Sequence, residues 1–285
     1  MFSRSQPAAA GYRPGSVIPP RELLALPRTL AEELCRERAR PVYVGDQQVM
    51  SRLLTRYKFI SSSTDTAFAP HIIMDGYWEM WLSRWLAREL PEGATALDVG
   101  ANYGYFSVLM ADLVGPAGRL IAVEPHPESA RCAAFSLSIN GFADRSTVHA
   151  AAAGREAGRT TLHVPHHQPS NASLARQTLG DLPCDELPVP MICLDDLGLD
   201  RVDLIKIDAE SAEYDIFCGL QRTLDAHNPW LILEYHPARP DADRLAQLIR
   251  DRYPQPRVLT GDEQLLPFDF DQPLAATEHL LVLRS

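Results

Sequence analysis

The sequence predicts an α/β fold in which a mostly parallel sheet carries helices on both faces and follows an N-terminal helical extension. From Ala94 onward, short apolar segments typical of buried strands alternate with segments of helical periodicity. Three of these strands end in a carboxylate, at Glu124, Asp208 and Glu234. Alternating strands and helices favour parallel pairing, and such sheets bind ligands beyond the carboxyl ends of their strands. We therefore expect the functional site along this edge.

Before the sheet, we predict a flexible tail over residues 1–20 and a helical extension over 21–92, with the main domain over 93–285. The tail is rich in proline, glycine and alanine. Helices are predicted over 28–38 and, more strongly, over 77–90. The second helix has an amphipathic stripe formed by Trp78, Trp81, Leu82, Trp85 and Leu86. This stripe predicts packing on the main domain, and a compatible interpretation is that one helix end closes a ligand pocket.

Within the main domain, the pattern gives each element in turn. Strands are predicted over 94–99, 120–123, 147–152, 202–207, 230–233 and 279–283, and helices over 105–113, 127–140, 212–224 and 241–253. Pro127 suits the first position of its helix, and Asn140–Gly141 suits the end. Residues 166–187 have no clear period and are long for a connection, which leaves a lid, a binding loop or a mobile loop as alternatives.

Composition restricts the class of protein. Hydrophobic residues make up 46% of the 285 positions and charged residues 22%, as in ordinary globular proteins. The net charge of -10 makes nucleic acid a poor candidate partner. The five cysteines are scattered without C-x-x-C spacing, which favours neither a zinc site nor a disulfide framework. The sequence has no apolar run of roughly 18 residues and no signal peptide pattern, so we predict a cytoplasmic protein without a membrane span.

The segment between the first sheet strand and its helix is predicted to bind a cofactor. Gly100 and Gly104 allow a tight turn close to a ligand, and Asp98 at the strand end can accept hydrogen bonds from an ammonium group. Glu124, at the end of the next strand, can accept both hydroxyls of a ribose. A nicotinamide dinucleotide fingerprint would need glycine where Asn102 stands, and an acid beside the turn would repel a pyrophosphate. The pattern therefore favours S-adenosylmethionine.

Several stretches resemble the FkbM-type methyltransferases. They are LDVGANYGY (97–105), AVEPHP (122–127), Asn140–Gly141, DLIKIDAESAE (203–213) and LEYHP (233–237). The segment DGYWE (75–79) is similar to an element that precedes the sheet in that family, and the resemblance covers roughly residues 75–237. It implies a Rossmann-like class I methyltransferase fold with a seven-stranded sheet, and O-methylation of a small hydroxylated natural product or sugar. A homo-oligomer remains open.

Together, the motif and the resemblance assign a set of residues to S-adenosylmethionine binding. These are Glu79, Asp98, Gly100, Asn102, Tyr103, Gly104, Glu124, Pro125, His149, Ala150 and Asp208. His149 and Ala150 are included because they follow the third strand, where such folds place the adenine. The chain departs from the family at Ser211, where glycine is usual. A serine can cap the helix that follows, so we expect the fold to survive. If the usual glycine has a positive φ or approaches a ligand closely, the serine should instead affect substrate fit or activity.

The chemistry requires a group that helps to remove the proton of an alcohol, either a base or a metal. The candidate catalytic residues lie at two strand ends: Lys206, Asp208 and Glu210 at one, Glu234 and His236 at the other. His236 or Asp208 is a candidate base, and the carboxylates could orient the histidine or bind Mg²⁺. No metal-ligand set is assigned.

Other interpretations of the same residues remain. Glu210 and Glu213 could simply favour the positive end of a helix, and Lys206 could simply pair with a carboxylate. The alternative functions are methylation of nitrogen or of a carboxyl group, and a catalytically idle module that keeps the donor pocket. An NAD-dependent oxidoreductase is disfavoured by the missing glycine.

Overall fold

A computed structural model describes residues 17–273 and 278–284 of the chain. Its centre is an eight-stranded sheet. In spatial order the strands are β13 (Leu265–Pro267), β12 (Arg257–Leu259), β14 (His279–Leu283), β11 (Trp230–Tyr235), β10 (Leu204–Ile207), β4 (Thr95–Val99), β5 (Arg119–Val123) and β6 (Ser146–His149).

The sheet is mostly parallel, as predicted. Strands β6, β5, β4, β10 and β11 run parallel to one another, whereas β14 pairs antiparallel with both β11 and β12. The predicted number of seven strands is wrong for the part of the chain that is described. The eighth strand, β13, pairs antiparallel with β12 at the edge of the sheet. Both strands are only three residues long, too short for a periodic pattern to reveal.

Helices cover both faces of the sheet. Their bounds are α1 (Pro20–Ala25), α2 (Arg28–Arg38), α3 (Ala69–Asp75), α4 (Met80–Glu89), α5 (Tyr105–Leu113), α6 (Pro127–Ile139), α7 (Glu213–Cys218), α8 (Gln221–His227) and α9 (Ala242–Arg252). Alternation along the strands builds two cores. Ala96 and Ile232 share one core with α4, α5 and α6, while Leu97 and Leu231 share the other with α7, α8 and α9. Within residues 17–273 and 278–284, every helix is too short or too polar to cross a membrane.

The N-terminal extension contains strands besides its helices. Strands β1 (Val42–Gly45), β2 (Gln48–Leu53) and β3 (Tyr57–Ser62) form an antiparallel sheet. The backbone N–H of Ile60 donates to Ser136 Oγ at 3.0 Å, which ties β3 to α6. The prediction of a helical extension is therefore incomplete. The predicted tail also ends earlier than residue 20, because Ile18 is buried, and residues 1–16 lie outside the described residues.

A third sheet replaces part of the predicted loop region. Strands β7 (Ala152–Gly154), β9 (Cys184–Cys193) and β8 (Gly158–Pro165) lie side by side in that order. The predicted strand over 147–152 is wrong, since β6 ends at His149 and Ala152 begins a strand of another sheet. Strands β8 and β9 form a long hairpin, and residues 166–183 between them are called the excursion below.

The predicted helix over 212–224 is also wrong, because the structure divides it into α7 and α8. The break lies at Gly219, where a Cβ atom would stand 2.2 Å from the carbonyl oxygen of Gly154. The backbone of β7 therefore comes so close that only glycine fits between the two helices.

Candidate active site

A cavity of about 250 Å³ opens at the carboxyl ends of the parallel strands. Its floor is the β4–α5 turn and the ends of β5, β10 and β11. Its walls come from the N-terminal extension, through Phe68, Trp78 and Glu79, and from the excursion, through residues 169–172 and Leu174. The cavity therefore lies where the sheet edge, the extension and the excursion meet.

The β4–α5 turn is in direct backbone contact with the end of β10. Gly100 has a φ of +75°, and a Cβ atom there would stand 1.7 Å from the carbonyl oxygen of Asp208. Only glycine can take this position, because both the backbone angle and the space exclude a side chain. The turn thereby brings the backbone of Gly100, Ala101 and Asn102 to the cavity surface.

Glu124 presents a fixed carboxylate to the cavity beside this turn. One of its oxygens accepts a hydrogen bond from the backbone N–H of Asn102 at 2.7 Å, and the other from the N–H of His126 at 2.8 Å. Only 7% of the residue is exposed. Burial raises the pKa of Glu124 to about 7, although both hydrogen bonds oppose the rise.

Asp98 lies behind the cavity wall and is fully buried. Its Oδ2 accepts a hydrogen bond from Ser107 Oγ at 2.6 Å, and its Oδ1 lies 3.9 Å from Lys206 Nζ. Lys206 in turn donates to Asp208 Oδ2 at 3.1 Å. Burial disfavours the lysine cation, but the charges of Asp208, Asp98 and Glu79 outweigh this effect and raise the pKa of Lys206. Lys206 is thus a fixed cation between two strand ends.

A second cation, Arg239, holds three glutamates together. Its Nη1 donates to Glu234 at 2.8 Å and to Glu213 at 3.3 Å, and its Nη2 donates to Glu210 at 2.9 Å. Burial and repulsion from Asp208 raise the pKa of Glu210 to about 7 and that of Glu234 well above its ordinary value. One guanidinium cannot neutralise three carboxylates, so this group carries excess negative charge whenever all three are ionised.

Glu79 contributes a further carboxylate from the extension. Helix α4 begins later than predicted, at Met80, because Glu79 has a left-handed backbone with a φ of +36°. Trp78 and Glu79 are therefore outside the helix and line the cavity, in agreement with the interpretation that one helix end closes a pocket. Burial and the nearby Asp208 raise the pKa of Glu79 to about 7, against the attraction of Lys206.

The predicted site residues divide into two groups. Those that line the cavity are Glu79, Gly100, Asn102, Glu124, Pro125, Lys206, Asp208, Glu210 and Glu234. Those that do not are Asp98, Tyr103, Gly104, His149, Ala150 and His236. All the predicted strand-end carboxylates except Asp98 thus line the cavity.

The predicted residues that do not line the cavity have physical reasons for their positions. Tyr103 is fully buried and stacks on Phe68 with ring centroids 6.0 Å apart. Gly104 has a φ of +89° and lies against Ala133 of α6. The chain crosses into the third sheet after β6, so Ala152 and Ala153 line the cavity where His149 and Ala150 were predicted.

His236 lies beyond the end of β11, where its Nδ1 accepts a hydrogen bond from the backbone N–H of Ala238 at 3.1 Å. It does not line the cavity. The structure therefore gives no support to His236 as the base.

Sequence reasoning missed Arg239 and the excursion residues. Arg239 follows the last recognisable motif of the sequence. Its role depends on its contacts with three glutamates from different parts of the chain, which only the fold brings together. In the excursion, Ser170 Oγ donates to Asp65 Oδ1 at 3.1 Å and Ser173 Oγ donates to the carbonyl oxygen of Glu210 at 2.5 Å. These two bonds tie the excursion across the cavity. The lack of periodicity over 166–187 was the one sequence signal for it.

The expectation that Ser211 caps a helix is wrong. The N-cap of α7 is Ala212, and the buried Ser211 Oγ makes no hydrogen bond within the described ranges. Instead, Glu213 Oε1 accepts hydrogen bonds from the N–H groups of Ala209 at 3.0 Å and Ser211 at 3.3 Å. Ser211 has a φ of +84°, the conformation that a glycine would take without strain.

The structure gives no support to the predicted Mg²⁺. Among residues 17–273 and 278–284, no three histidine, cysteine, aspartate or glutamate side chains are grouped so that they could hold a metal ion. The candidate carboxylates have other partners, because Asp208 pairs with Lys206 while Glu210 and Glu234 pair with Arg239.

Comparison with known proteins agrees with the resemblance seen in the sequence. The family model for the methyltransferase FkbM domain matches residues 98–253, more than half of the chain. The chain is 28% identical over 218 residues to the AMB antimetabolite synthetase AmbE of Pseudomonas aeruginosa, a match that covers 61% of this chain and 10% of that protein. It is 40% identical over 83 residues to the protein-L-isoaspartate O-methyltransferase of Aeropyrum pernix, covering 29% of this chain and 31% of that protein.

Among solved structures, the methyltransferase FkbM from Methylobacillus flagellatus KT matches with a TM-score of 0.45 and 18% identity, covering 67% of this chain and 44% of that one. The O-methyltransferase TomG from Streptomyces achromogenes matches with a TM-score of 0.41 and 17% identity, covering 78% and 88%. The chain thus spans about a tenth of the length of the first curated relative and under a third of the second.

Proposed function

The chain belongs to the FkbM methyltransferase family, and on this premise we propose that it is an S-adenosylmethionine-dependent O-methyltransferase acting on a hydroxyl of a small natural product or sugar. The observation that carries the proposal is the cavity in which the glycine turn, Glu124 and the carboxylates of β10 and β11 come together. A donor site and a site for proton removal then share one enclosed space, as methyl transfer to an alcohol requires.

The residues present fit the methyl donor. At Gly100 a side chain is excluded and backbone forms the surface, which suits close approach of a ligand. Glu124 would accept hydrogen bonds from the ribose hydroxyls. Glu79, whose carboxylate makes no hydrogen bond or ion pair to any described residue, would receive the ammonium group. When bound, the donor supplies a methyl group on a positively charged sulfur, and the excess of carboxylates around the cavity favours that charge.

The acceptor would enter between the extension and the excursion. Phe68, Trp78 and Leu174 form apolar walls, while Asp208 and Glu234 line the floor. Apolar surface with a few polar groups is typical of small-molecule sites. The walls would exclude water, and the carboxylates would orient hydroxyl groups by accepting their hydrogen bonds. This combination supports a hydroxylated small molecule as the substrate.

A catalytically idle donor-binding module is the second candidate. Ser211 favours it, because the strained serine stands next to Glu210 at the cavity. The two candidates differ in turnover and agree in donor binding. Methylation of nitrogen or of a carboxyl group would differ from both in the chemistry of the product.

Two measurements test the proposal. In calorimetry, S-adenosylhomocysteine should bind, NAD should not, and Glu124→Gln should weaken binding by about tenfold or more, as expected for loss of a charged hydrogen-bond acceptor. Labelled S-adenosylmethionine, incubated with the chain and fractionated small hydroxylated molecules, should yield a labelled methyl ether that survives mild alkali. A labelled ester or amine would contradict O-methylation of a hydroxyl, and donor binding without any labelled product would favour the idle module.

A further inference from the structure

Glu210 has the most exposed side chain of the four cavity-side carboxylates that pair with Lys206 or Arg239 at 3.3 Å or less. Its Oε2 accepts a hydrogen bond from Arg239 Nη2 at 2.9 Å, and its Oε1 makes no hydrogen bond to the described residues. The side chain is 40% exposed and lines the cavity. One oxygen is therefore held by a guanidinium while the other is free to meet a ligand.

The other three carboxylates held by these cations are less exposed. The Asp208 side chain is 34% exposed, and its Oδ2 is bound by the Lys206 ammonium at 3.1 Å. Glu234 is 17% exposed and bound by Arg239 at 2.8 Å. Glu213 is 5% exposed and accepts hydrogen bonds from two backbone N–H groups and from Arg239.

The backbone also fixes Glu210 in a costly conformation. Glu210 and Ser211 have successive left-handed φ values of +49° and +84°. Ser173 Oγ donates to the carbonyl oxygen of Glu210 at 2.5 Å and so holds the peptide from the side of the excursion. Strained non-glycine residues of this kind occur at functional sites, where the position of the side chain matters more than local stability.

We propose that Glu210 is the group that takes the proton from the acceptor hydroxyl, and that Arg239 is the positioning residue that holds it. This inference rests on the proposed function. In the reaction, the acceptor oxygen bonds to the methyl carbon as the carbon–sulfur bond of the donor breaks and its electron pair passes to sulfur. The hydroxyl proton passes to Glu210 Oε1, and the resulting carboxylic acid later releases it to solvent.

The charges around Glu210 agree with this role. Burial raises the pKa of Glu210 most, Asp208 and Glu213 on its own segment and Glu278 before β14 raise it further, and Arg239 lowers it. Glu79 and Lys206 line the same cavity. Partial burial and these charges raise the pKa to about 7, close to the value at which a general base works best near neutral pH.

The test uses the full chain and the labelled-methyl assay described above. Glu210→Gln should lower kcat by about 10²- to 10⁴-fold, the usual effect of losing a general base, while S-adenosylhomocysteine binding stays within about threefold. In the wild type, kcat should rise with pH up to about 7 and then level off, because only the ionised carboxylate accepts the proton.

Arg239 is tested by a shift in the pH profile, which a purely structural role would not produce. Removing this cation raises the pKa of Glu210 further, so in Arg239→Gln the rise of kcat with pH should occur at higher pH than in the wild type. In Arg239→Lys, which keeps the charge, the rise should return part of the way to the wild-type pH. Arg244→Gln is the matched control, since Arg244 is an exposed arginine paired with Asp241.

The outcomes separate this inference from the proposed function. A wild type without transfer to any hydroxyl would overturn both. An active wild type with an equally active Glu210→Gln, or with activity abolished by Glu79→Gln and retained by Glu210→Gln, would overturn the inference alone. If Arg239→Gln folds poorly, Arg239→Met, which also removes the charge, takes its place, and a rising limb of kcat at the wild-type pH in a folded, uncharged variant would remove Arg239 from the mechanism.

Discussion

Ser211 is the residue whose chemistry agrees least with its backbone. Its φ of +84° belongs to glycine, and its hydroxyl is buried without a hydrogen bond in the described part of the chain. A left-handed conformation costs a non-glycine residue about 1–2 kcal/mol, and a buried unpaired hydroxyl adds to that cost. The serine therefore lowers stability beside the cavity.

Ser211→Gly should consequently stabilise the chain. We expect a gain of about 1 kcal/mol in the free energy of unfolding, after allowance for the greater freedom of glycine in the unfolded chain. Urea unfolding measures it. Ser211→Ala is the control, since alanine removes the hydroxyl and keeps the strained angle. A glycine variant no more stable than the alanine variant would show that the angle carries no strain.

At Gly100, by contrast, the residue type suits the backbone conformation. Gly100→Ala should cost at least about 3 kcal/mol, since the new Cβ atom overlaps the carbonyl oxygen of Asp208 and the φ is positive. Gly93→Ala is a matched control, because Gly93 also has a positive φ, of +77°, but no atom within 4 Å of the added Cβ. It should cost about 1 kcal/mol and leave S-adenosylhomocysteine binding unchanged. Equal costs in urea unfolding would contradict the close approach of the turn to β10.

The pKa of Glu124 predicts how donor binding depends on pH. Its ionised form accepts hydroxyl hydrogen bonds more strongly than the neutral acid, and burial raises its pKa to about 7. S-adenosylhomocysteine should therefore bind more tightly as the pH rises to about 7 and then show little change. Calorimetry between about pH 5.5 and 8.5 would reveal a slope of up to tenfold per unit below the pKa. In Glu124→Gln the slope should decrease, and an unchanged slope would assign the titration to another carboxylate.

Among the elements, those with a strong local pattern were predicted well. Helices α2 and α5 and strand β14 have the predicted bounds, because an apolar period and clear end signals decide them. The division between α7 and α8 was not predictable, since it arises from the contact of Gly219 with Gly154, far away in the sequence. Strands β1 to β3 were not predicted, although β2 alternates between buried and half-buried residues.

The hydrogen bonds that hold the excursion over the cavity can be removed one at a time, which makes its stability testable. Ser170→Ala removes the bond to Asp65, worth about 1 kcal/mol. Amide hydrogen exchange in residues 166–183 should then be several-fold faster, and S-adenosylhomocysteine should dissociate faster. The control is Thr178→Ala, which loses bonds within the excursion itself, to the carbonyl oxygen of Ala175 and to Ser173 Oγ. Equal exchange in wild type and Ser170→Ala would show that this bond does not hold the segment.

For the whole molecule, the rule that ligands meet the carboxyl ends of parallel strands predicted the edge of the sheet at which the cavity lies. Glu124, Asp208 and Glu234 come from three strands and all line one cavity. The pairing of Lys206 with a carboxylate was one interpretation of the sequence, because Asp208 lies two residues away. The role of Arg239 could not be predicted in the same way, since only the folded chain brings it within about 3 Å of Glu210 and Glu234.

The walls of the cavity have a consequence for how such a protein can diversify. Glu79, Trp78 and Phe68 belong to the extension, outside residues 98–253 that match the family model, whereas the excursion connects the two strands of the β8–β9 hairpin. Both segments can change in length and sequence without disturbing the strands on either side of the Gly100 turn. If the proposed function holds, exchange of these two segments between relatives should alter which molecule is methylated and leave binding of the methyl donor unchanged.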